Sequence, residues 1–247
     1  MNKSQGVTVL FLGGVLAAAL CGSAGAAEVR VQGNALFFTA KAGEVNTVLI
    51  RHIADVIQVT DSTTTRLFPV APCTFVNEHE VSCTVENVSF ISLDLGNGND
   101  KVSQAEPNNG SAIPMKILGG LGNDVLIGGF AQDTIDGGPG TDVIDGGDGD
   151  DVLTGGAGDD QIQGGRGKDT IDGQVGDDTI DGGIGDDVIH GAIGADRITG
   201  GTGVDKLFGD AGKDILNSRD GAIDALDCGT GKDTIDRDPN DTLAHCS

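Results

Sequence analysis

A chain of 247 residues with 38 acidic and only 15 basic side chains carries a formal net charge of −23. Charge of this sign and size excludes binding to nucleic acid or to anionic membrane surfaces and favours binding to cations. The 42 glycines and the absence of tyrosine and tryptophan also exclude an ordinary globular composition. A disordered acidic chain has a similar composition, so only periodicity in the sequence can separate the two alternatives.

The first 26 residues have the features of a cleaved secretory signal. An uncharged stretch over residues 7–20 follows a basic start and leads into the small residues Ala24-Gly25-Ala26. This pattern predicts a Sec-type signal peptide over residues 1–26, and the stretch is too short to remain as a membrane anchor. Lipidation at Cys21 is the alternative, but a leucine stands where that cleavage motif requires a small residue. The chain is therefore expected to be secreted, with no transmembrane segment.

Residues 27–104 are predicted to form a small β-rich region. Short apolar or alternating runs are separated by clusters of glycine, asparagine, aspartate and proline, which is the pattern of strands and turns. The runs begin at Glu28, Leu36, Thr47, Val56, Glu80 and Phe90. Residues 105–118 follow as a polar loop, centred on Pro107-Asn108-Asn109-Gly110, and a strand that leads into the next region.

From Gly119 onward the sequence repeats every nine residues. The first block, Gly119 to Ile127, is followed in frame by ten more blocks, the last of which ends at Asn217. Glycine opens every block, and leucine or isoleucine fills every eighth position. The sixth position is aspartate throughout: Asp124, Asp133, Asp142, Asp151, Asp160, Asp169, Asp178, Asp187, Asp196, Asp205 and Asp214.

The consensus Gly-Gly-x-Gly-x-Asp-x-(aliphatic)-x over residues 119–217 resembles the nonapeptide of the RTX, or haemolysin-type calcium-binding, repeat family. Related blocks at Leu95 to Asp100 and Cys228 to Asp233 flank the array. The resemblance implies an all-β fold, a parallel β-roll (β-solenoid) with two nonapeptides per turn, preceded by the small β-rich region. The layout of export signal, cysteine pairs and repeats is similar to that of secreted proteins of actinobacterial type.

The residue types of the repeat suit calcium. Glycines let the backbone adopt positive φ and bring carbonyl oxygens together, and the sixth-position aspartate adds a carboxylate to them. Ca²⁺ selects such hard oxygen ligands, whereas Mg²⁺ demands a tighter octahedron. With two blocks per turn, the aspartates form two ladders with about nine internal sites at most. The predicted calcium ligands are Asp100, Asp124, Asp133, Asp142, Asp151, Asp160, Asp169, Asp178, Asp187, Asp196, Asp205, Asp214 and Asp233.

Folding of the array is expected to depend on calcium. Carboxylates on stacked strands about 4.8 Å apart repel one another by roughly 1 to 3 kcal/mol per pair. One aliphatic side chain per nine residues also makes a thin core for a glycine-rich backbone. We therefore predict that the array is largely disordered without Ca²⁺ and folds on binding it.

Some positions of the array depart from the consensus. Further aspartates at the fifth and ninth positions do not recur in every block, so we interpret them as solvated surface charges, with metal ligation as the alternative. Turn glycines are replaced at Ala131, Ala192 and Asp210. The additional aspartates are Asp150, Asp159, Asp177 and Asp186 at the fifth position, and Asp136, Asp145, Asp172 and Asp181 at the ninth.

Residues 218–247 are predicted to cap the array, because the nine-residue frame is lost after Asn217. Removal of the signal leaves four cysteines, an even number, in an oxidising compartment. Proximity along the chain favours pairing of Cys73 with Cys83 and of Cys228 with Cys246. Free buried thiols are the alternative.

Two other functions are alternatives to calcium binding alone. Related arrays follow catalytic domains in proteases and lipases, which makes an extracellular hydrolase one alternative, and a cell-surface adhesin is another. The histidines never make a His-Glu-x-x-His spacing, residues 27–247 contain no Gly-x-Ser-x-Gly motif, and His190 is interpreted as a lone surface histidine. The sequence thus predicts a secreted, non-enzymatic protein with many bound calcium ions, a structural or interaction role, and a cell-surface or matrix partner of unknown identity.

Overall fold

A computed structural model of the chain describes residues 28–104, with gaps at 33–34, 41–45, 54–55, 62–67, 70–72, 78–79 and 85–87, and residues 113–246. All regular secondary structure in these ranges is β-strand, in twenty-seven strands. No described segment is a helix that could cross a membrane. The predicted signal peptide lies outside the described residues. The prediction of an all-β fold built on a parallel β-roll is confirmed.

Nine short strands precede the array. They are divided between two sheets, and each of the predicted runs begins within one of them. The strands are β1 (Glu28–Gln32), β2 (Ala35–Thr39), β3 (Thr47–Ile53), β4 (Val56–Asp61), β5 (Phe68–Pro69), β6 (Cys73–Asn77), β7 (Glu80–Thr84), β8 (Phe90–Asp94) and β9 (Lys101–Gln104).

The array and its cap contain the remaining strands. In the central repeats a strand covers positions seven to nine and continues through the first three residues of the next block. The strands are β10 (Met115–Leu118), β11 (Val125–Gly129), β12 (Thr134–Pro139), β13 (Val143–Asp148), β14 (Val152–Ala157), β15 (Gln161–Arg166), β16 (Thr170–Val175), β17 (Thr179–Ile184), β18 (Val188–His190), β19 (Ile193–Gly194), β20 (Arg197–Thr202), β21 (Lys206–Phe208), β22 (Ala211–Gly212), β23 (Ile215–Asn217), β24 (Ala225–Asp227), β25 (Thr230–Gly231), β26 (Thr234–Asp236) and β27 (Thr242–Ala244).

Strands β10 to β18 alternate between the two sheets, and from β10 to β16 each pairs in parallel with the strand two positions on. Ile135 in β12, for example, lies beside Leu153 in β14, and Ile144 in β13 lies beside Ile162 in β15. The first sheet has the order β5-β1-β2-β8-β10-β12-β14-β16-β18-β21-β24-β27, and the second has the order β6-β7-β4-β3-β9-β11-β13-β15-β17-β20-β23-β26. Two nonapeptides therefore make one turn of the roll, and their turns lie on opposite edges. Where a strand is interrupted, both pieces stay in the first sheet, which also contains β19, β22 and β25.

The core between the sheets is one column of aliphatic side chains from each sheet. The eighth-position residues are at most 1 % exposed because strand residues on either side of them face outward. They are Leu126, Ile135, Ile144, Leu153, Ile162, Ile171, Ile180, Ile189, Ile198, Leu207 and Leu216. Alternation within each strand thus fixes the sixth-position aspartate at the edge of this core.

Both sheets continue from the array into residues 28–104. Strand β8 pairs in parallel with β10 and with β2, and β9 pairs in parallel with β11 and with β3. The apolar column continues with them, through Leu93 and Leu36 in the first sheet and Val102 and Val48 in the second. Antiparallel strands complete this end: β1 beside β2, and β4, β7 and β6 beyond β3.

The cysteines lie at the two ends of the molecule. Cys228 and Cys246 form a disulfide in the cap, with their Cα atoms 4.9 Å apart. At the other end the register of β6 and β7 places Cys73 directly opposite Cys83, and the disulfide between them stays a prediction. The Cys228–Cys246 disulfide closes the last turn of the roll, where Cys228 is part of the buried core.

Candidate metal centre

The sixth-position aspartates form a hydrogen-bonded ladder along each edge of the roll. Those of the array are at most 3 % exposed. In the first ladder the Oδ1 atom of each aspartate after Asp100 accepts a hydrogen bond from the main-chain nitrogen of the aspartate one turn earlier, as between Asp142 and Asp160 at 2.8 Å. The members of this ladder are Asp100, Asp124, Asp142, Asp160, Asp178, Asp196, Asp214 and the half-buried Asp233.

The second ladder is longer than the sequence predicts. It begins where the Met115 nitrogen donates to Asp133, and it includes two aspartates of the cap, Asp224 and Asp241. These two aspartates fall outside the nine-residue frame, because the segment from Asp205 to Asp224 is one residue longer than two nonapeptides. The spacing Asp-x-Leu, present at both residues, is the signal that would have found them. The members are Asp133, Asp151, Asp169, Asp187, Asp205, Asp224 and Asp241.

In twelve of the ladder aspartates the second carboxylate oxygen, Oδ2, has no protein donor. Burying a polar group without a hydrogen-bond partner costs about 1–3 kcal/mol of folding free energy when the group is neutral, and more when it is charged. Native proteins tolerate such a group where a ligand or ion satisfies it. Unpartnered buried Oδ2 atoms belong to Asp124, Asp133, Asp142, Asp151, Asp160, Asp169, Asp178, Asp187, Asp196, Asp205, Asp214 and Asp224.

Burial of the aspartates also changes their acidity. Desolvation is the largest effect and raises the pKa, a hydrogen bond from the preceding aspartate's amide lowers it, and neighbouring carboxylates raise it again, as Asp142 and Asp178 do for Asp160. The pKa rises to about 7 for Asp133, Asp160 and Asp196. It rises to about 6 for Asp124, Asp151, Asp169, Asp187 and Asp205. Without a bound cation, the buried ladders therefore disfavour the ionised form of their own aspartates.

Main-chain carbonyl oxygens line the space between successive turns on each edge. A Cβ added at the fourth-position Gly140 would overlap the carbonyl oxygen of Gly122, one turn earlier, and the second-position glycines follow the same rule. A Cβ at the first-position Gly137 would lie against Asp142 Oδ2 and 2.6 Å from the carbonyl oxygen of Gly155, one turn later. At the glycines named here a side chain would overlap a neighbouring turn, and the Gly155 carbonyl oxygen lies near the unpartnered Asp142 Oδ2.

This set of donors matches a hard cation. Each space combines two carboxylates with several neutral carbonyl oxygens, the mixture that Ca²⁺ prefers. Among the described residues no three His, Cys, Asp or Glu side chains converge on one point, so carbonyls would supply most of the ligands. The geometry therefore fits a cation bound between turns, with a carboxylate from each turn.

Comparison with known families agrees with this geometry. A model described as the RTX calcium-binding nonapeptide repeat (4 copies) matches residues 118–153, 154–189 and 190–222. Residues 118–222 belong to the RTX calcium-binding nonapeptide repeat family. No curated protein is significantly similar to the chain. The RTX array is therefore a set of calcium-binding repeats.

The irregular RTX blocks depart from the consensus at their second position. Gln174, Ala192 and Asp210 replace glycine there and keep a positive φ of 70°, 70° and 64°. The sequence pattern predicts departures at Ala192 and Asp210, and Gln174 is a further one that those predictions do not include. The strand is interrupted at Ala192, between β18 and β19, and at Asp210, between β21 and β22. Left-handed backbone is costly for such residues, so these blocks carry stored strain.

The fifth-position aspartates connect turns as well as carrying charge. Each is exposed, and its Oδ1 accepts a hydrogen bond from the main-chain nitrogen of the fifth residue one turn later. The bonds are Asp150 to Lys168 at 2.8 Å, Asp159 to Asp177 at 2.9 Å, Asp177 to Ala195 at 2.8 Å and Asp186 to Val204 at 3.1 Å. The acidic fifth position therefore fixes neighbouring turns to one another.

The ladders end on protein donors. Nδ2 of the buried Asn46 donates to Asp100 Oδ1 at 3.0 Å and to the Leu95 carbonyl at 3.2 Å. At the other end, Asp241 Oδ2 accepts hydrogen bonds from the Ser218 hydroxyl and the Asp238 nitrogen, both at 2.8 Å. Burial acts to raise the pKa of Asp241, but the hydrogen bonds from three donors and the charge of Arg237 lower it overall.

His190 has partners, contrary to its interpretation as a lone surface histidine. It is half-buried, its ring stacks on Phe208 with centroids 4.3 Å apart, and its Nδ1 lies 2.9 Å from Asp210 Oδ2. These contacts connect the irregular block at Asp210 to the strand before it. The role of His190 that the geometry supports is structural.

Proposed function

We propose that this protein is a secreted calcium-binding roll with a structural or interaction role, whose array folds on binding extracellular Ca²⁺. The proposal rests on the row of buried aspartate oxygens that have no protein donor and that face glycine carbonyls of the next turn. The ligands are the sixth-position aspartates of the array together with Asp100 and Asp233. A cation between each pair of turns would neutralise the two carboxylates and stabilise the ladder.

Calcium dependence of folding is tested by circular dichroism of residues 27–247, first in EGTA and then in millimolar Ca²⁺. The expected result is a weak β-spectrum in EGTA that becomes strong with Ca²⁺, because the ion removes a repulsion of roughly 1 to 3 kcal/mol per neighbouring pair. A full β-spectrum in EGTA contradicts coupled folding. Calcium titration by calorimetry measures the number of ions, and fewer than about four contradicts binding between turns.

A matched pair of variants tests which aspartates are ligands. Asp160→Asn removes a buried carboxylate that lies between two spaces, whereas Asp159→Asn removes the same charge from the exposed neighbouring position. We expect Asp160→Asn to lower the number of bound ions and Asp159→Asn to leave it unchanged. Equal titration curves for the two variants would show that net charge, not the ladder, binds calcium.

Secretion is tested separately from calcium binding. Expression of the full chain in a bacterium with a Sec pathway should release a protein whose mass lacks residues 1–26. A product that retains those residues and stays in the cells contradicts the secretory part of the proposal. It leaves the calcium titration as an independent test of the array.

A further inference from the structure

The third position of the nonapeptide lies on the surface of each turn, and its residue type differs between the two edges of the roll. On the edge of the first ladder it is apolar in every block. All six residues are exposed, and the exposed fractions of Leu121, Val175 and Ile193 are 52 %, 50 % and 60 %. We call this row the apolar stripe, and its members are Leu121, Pro139, Ala157, Val175, Ile193 and Ala211.

The register of the strands makes the stripe continuous. Pro139 lies beside Ala157, Ala157 beside Val175, and Val175 beside Ile193, which in turn lies beside Ala211. Neighbouring strands are about 4.8 Å apart, so the stripe is a line about 24 Å long. Contiguous apolar patches on a protein surface mark contacts with other molecules, whereas single exposed apolar residues do not.

The second edge shows that the repeat does not require apolar residues at the third position. Charged residues there separate the apolar ones, and they form ion pairs on the surface. Arg166 lies 4.0 Å from Asp148, and Lys168 lies 2.5 Å from Asp186. The third positions of this edge are Phe130, Asp148, Arg166, Ile184 and Thr202. Since both edges have the same turn and the same buried aspartate, folding of the repeat does not explain the stripe.

Carboxylates flank the stripe on both sides. Asp159 and Asp177 follow stripe residues by two positions, and Asp136 and Asp172 precede stripe residues by three positions in β12 and β16. The charges of Asp159, Asp177 and Asp172 act to raise the pKa of Asp178, after the larger effect of desolvation, so both flanks lie near the same turn. Within the described ranges no basic side chain forms an ion pair with any of these four flanking aspartates.

The main chain of the stripe is already hydrogen-bonded between turns. The Ala157 carbonyl accepts from the Gly140 nitrogen at 2.8 Å, and the Val175 carbonyl accepts from the Gly158 nitrogen at 2.7 Å. A partner therefore cannot bind here by adding a β-strand and has to use its side chains. An α-helix of about 16 residues is as long as the stripe, and a helix can present one line of apolar side chains with polar residues beside it.

We propose that the apolar stripe binds a basic amphipathic helix of another protein. The apolar face of the helix covers the stripe, and its lysine or arginine side chains lie against the flanking aspartates. Complementary charge of this kind directs association and specificity. A second copy of this chain is a poor partner, because its stripe has the same unpaired carboxylates. The inference rests on the interaction role in the proposed function and gives that role a partner of stated chemistry.

Fluorescence anisotropy of a labelled synthetic peptide tests the stripe, with the mature chain in saturating Ca²⁺. The probe is a helix of about 16 leucine and lysine residues with every leucine on one face. A scrambled peptide of the same composition is the control, and it should bind at least about tenfold more weakly because its leucines no longer form one line. Equal binding of the two peptides, or no binding of the amphipathic one, overturns the proposal.

Matched substitutions place the binding on one edge. Val175→Ser and Ile193→Ser remove apolar side chains from the stripe, whereas Ile184→Ser removes one that is 55 % exposed at the same position of the second edge. Each stripe variant should weaken peptide binding about tenfold, and Ile184→Ser should change it less than about twofold. Equal weakening by substitutions on the two edges contradicts the proposal. Circular dichroism checks folding, and if one stripe variant does not fold, the other decides.

Charge is tested by a second matched pair. Asp177→Asn removes a flanking carboxylate, and Asp148→Asn removes an exposed one from the second edge. Asp177→Asn should weaken binding of the amphipathic peptide by about twofold to fivefold, and Asp148→Asn should leave it unchanged. Equal binding by the two variants would show that the flanking aspartates do not contact the peptide, which overturns the proposed charge contacts.

Failure of this inference is distinguishable from failure of the proposed function. A chain that binds Ca²⁺ and folds but does not bind the amphipathic peptide refutes only the docking surface, whereas a chain that binds no Ca²⁺ refutes the proposed function. Sedimentation equilibrium of the mature chain tests the other occupant. A dimer that Ile193→Ser dissociates would assign the stripe to a second copy and overturn the proposal.

Discussion

The array and the cap satisfy buried carboxylates in opposite ways. In the array each aspartate has one amide donor and one oxygen without a donor, and burial raises its pKa. In the cap, Asp241 has three donors and a nearby arginine, and its pKa is lowered. The same ladder geometry can thus be completed by a cation or by the protein itself. We therefore expect the array to respond to dissolved cations and the end of the cap to respond much less.

The largest effect that separates the two regions is the response to pH without calcium. Array aspartates have pKa values raised to about 6 or 7 in the fold, such as Asp133 and Asp160, against about 3.9 when unfolded. The folded state favours the protonated carboxyl. The loss of folding stability caused by ionising these aspartates is therefore absent below about pH 4 and complete above about pH 7. Acidifying the calcium-free protein from pH 8 to pH 5 should therefore increase its β-structure.

Circular dichroism of protein depleted of calcium beforehand measures this response, because chelators lose affinity in acid. Asp241 has the opposite effect on stability. Its lowered pKa stabilises the fold at pH values above the unfolded pKa, and this stabilisation is lost as the pH falls through the folded pKa. The cap should therefore weaken only in strong acid. A calcium-free array that loses β-structure on acidification to pH 5 would show that the raised pKa values are wrong.

The second effect is steric and compares two glycines with positive φ. A Cβ at Gly158 (φ 128°) would overlap the carbonyl oxygen of Gly140, whereas a Cβ at Gly221 (φ 97°) would meet no atom within 4 Å. Gly158→Ala should destabilise the calcium-bound roll by about 2–5 kcal/mol, from backbone strain and overlap together. Gly221→Ala should cost about 1–2 kcal/mol, from strain alone.

Urea unfolding in saturating Ca²⁺ measures both glycine variants. The difference between them isolates the close approach of turns in the array, since both carry the same kind of strain. Equal losses of stability would mean that the turns can move apart, and would contradict carbonyls held in place between them. Calcium titration of Gly158→Ala should also show weaker binding.

Much of the array can be predicted from the sequence. The period of nine identifies each array aspartate and each aliphatic core residue, because every repeat forms the same turn and strand. It fails at Asp224, where one additional residue breaks the frame while the ladder continues. At Gln174 the frame itself carries the signal, because glutamine replaces glycine at a second position, where the backbone keeps a positive φ.

The N-terminal strands illustrate the limit in another way. Alternation predicts strands such as β2 and β8, but not that Leu36 lies beside Ile91 in a parallel pair. Partners this distant along the chain are set by the continuing core of the roll, not by local pattern. The hydrogen bonds of Asn46 to Asp100 likewise depend on two turns that the sequence separates widely.

The third effect concerns the disulfide of the cap. Cys228 and Cys246 close a loop with a sequence separation of 18, for which loss of the bond costs about 3 kcal/mol. Replacing both by serine should lower the stability of the calcium-bound protein by that amount, with unfolding of the last turn before the array. Hydrogen exchange resolves the order: amides of β27 should lose protection first. Uniform loss along the roll would show that the cap and the array unfold as one unit.

The smallest effect tests the bonds between fifth positions. Asp177 is exposed, and its Oδ1 accepts the Ala195 nitrogen at 2.8 Å. Asp177→Ala should therefore destabilise the calcium-bound roll by about 1 kcal/mol, the usual net value of such a hydrogen bond. Asp148→Ala removes an equal charge whose nearest cation is 4.0 Å away, and it should change stability by less than about 0.5 kcal/mol. Urea unfolding in Ca²⁺ compares the stabilities of the two variants. Equal losses of stability would show that the fifth-position aspartates act only as surface charges. A loss at Asp177 alone would instead make them the protein's own connection between turns, one that persists when calcium is removed.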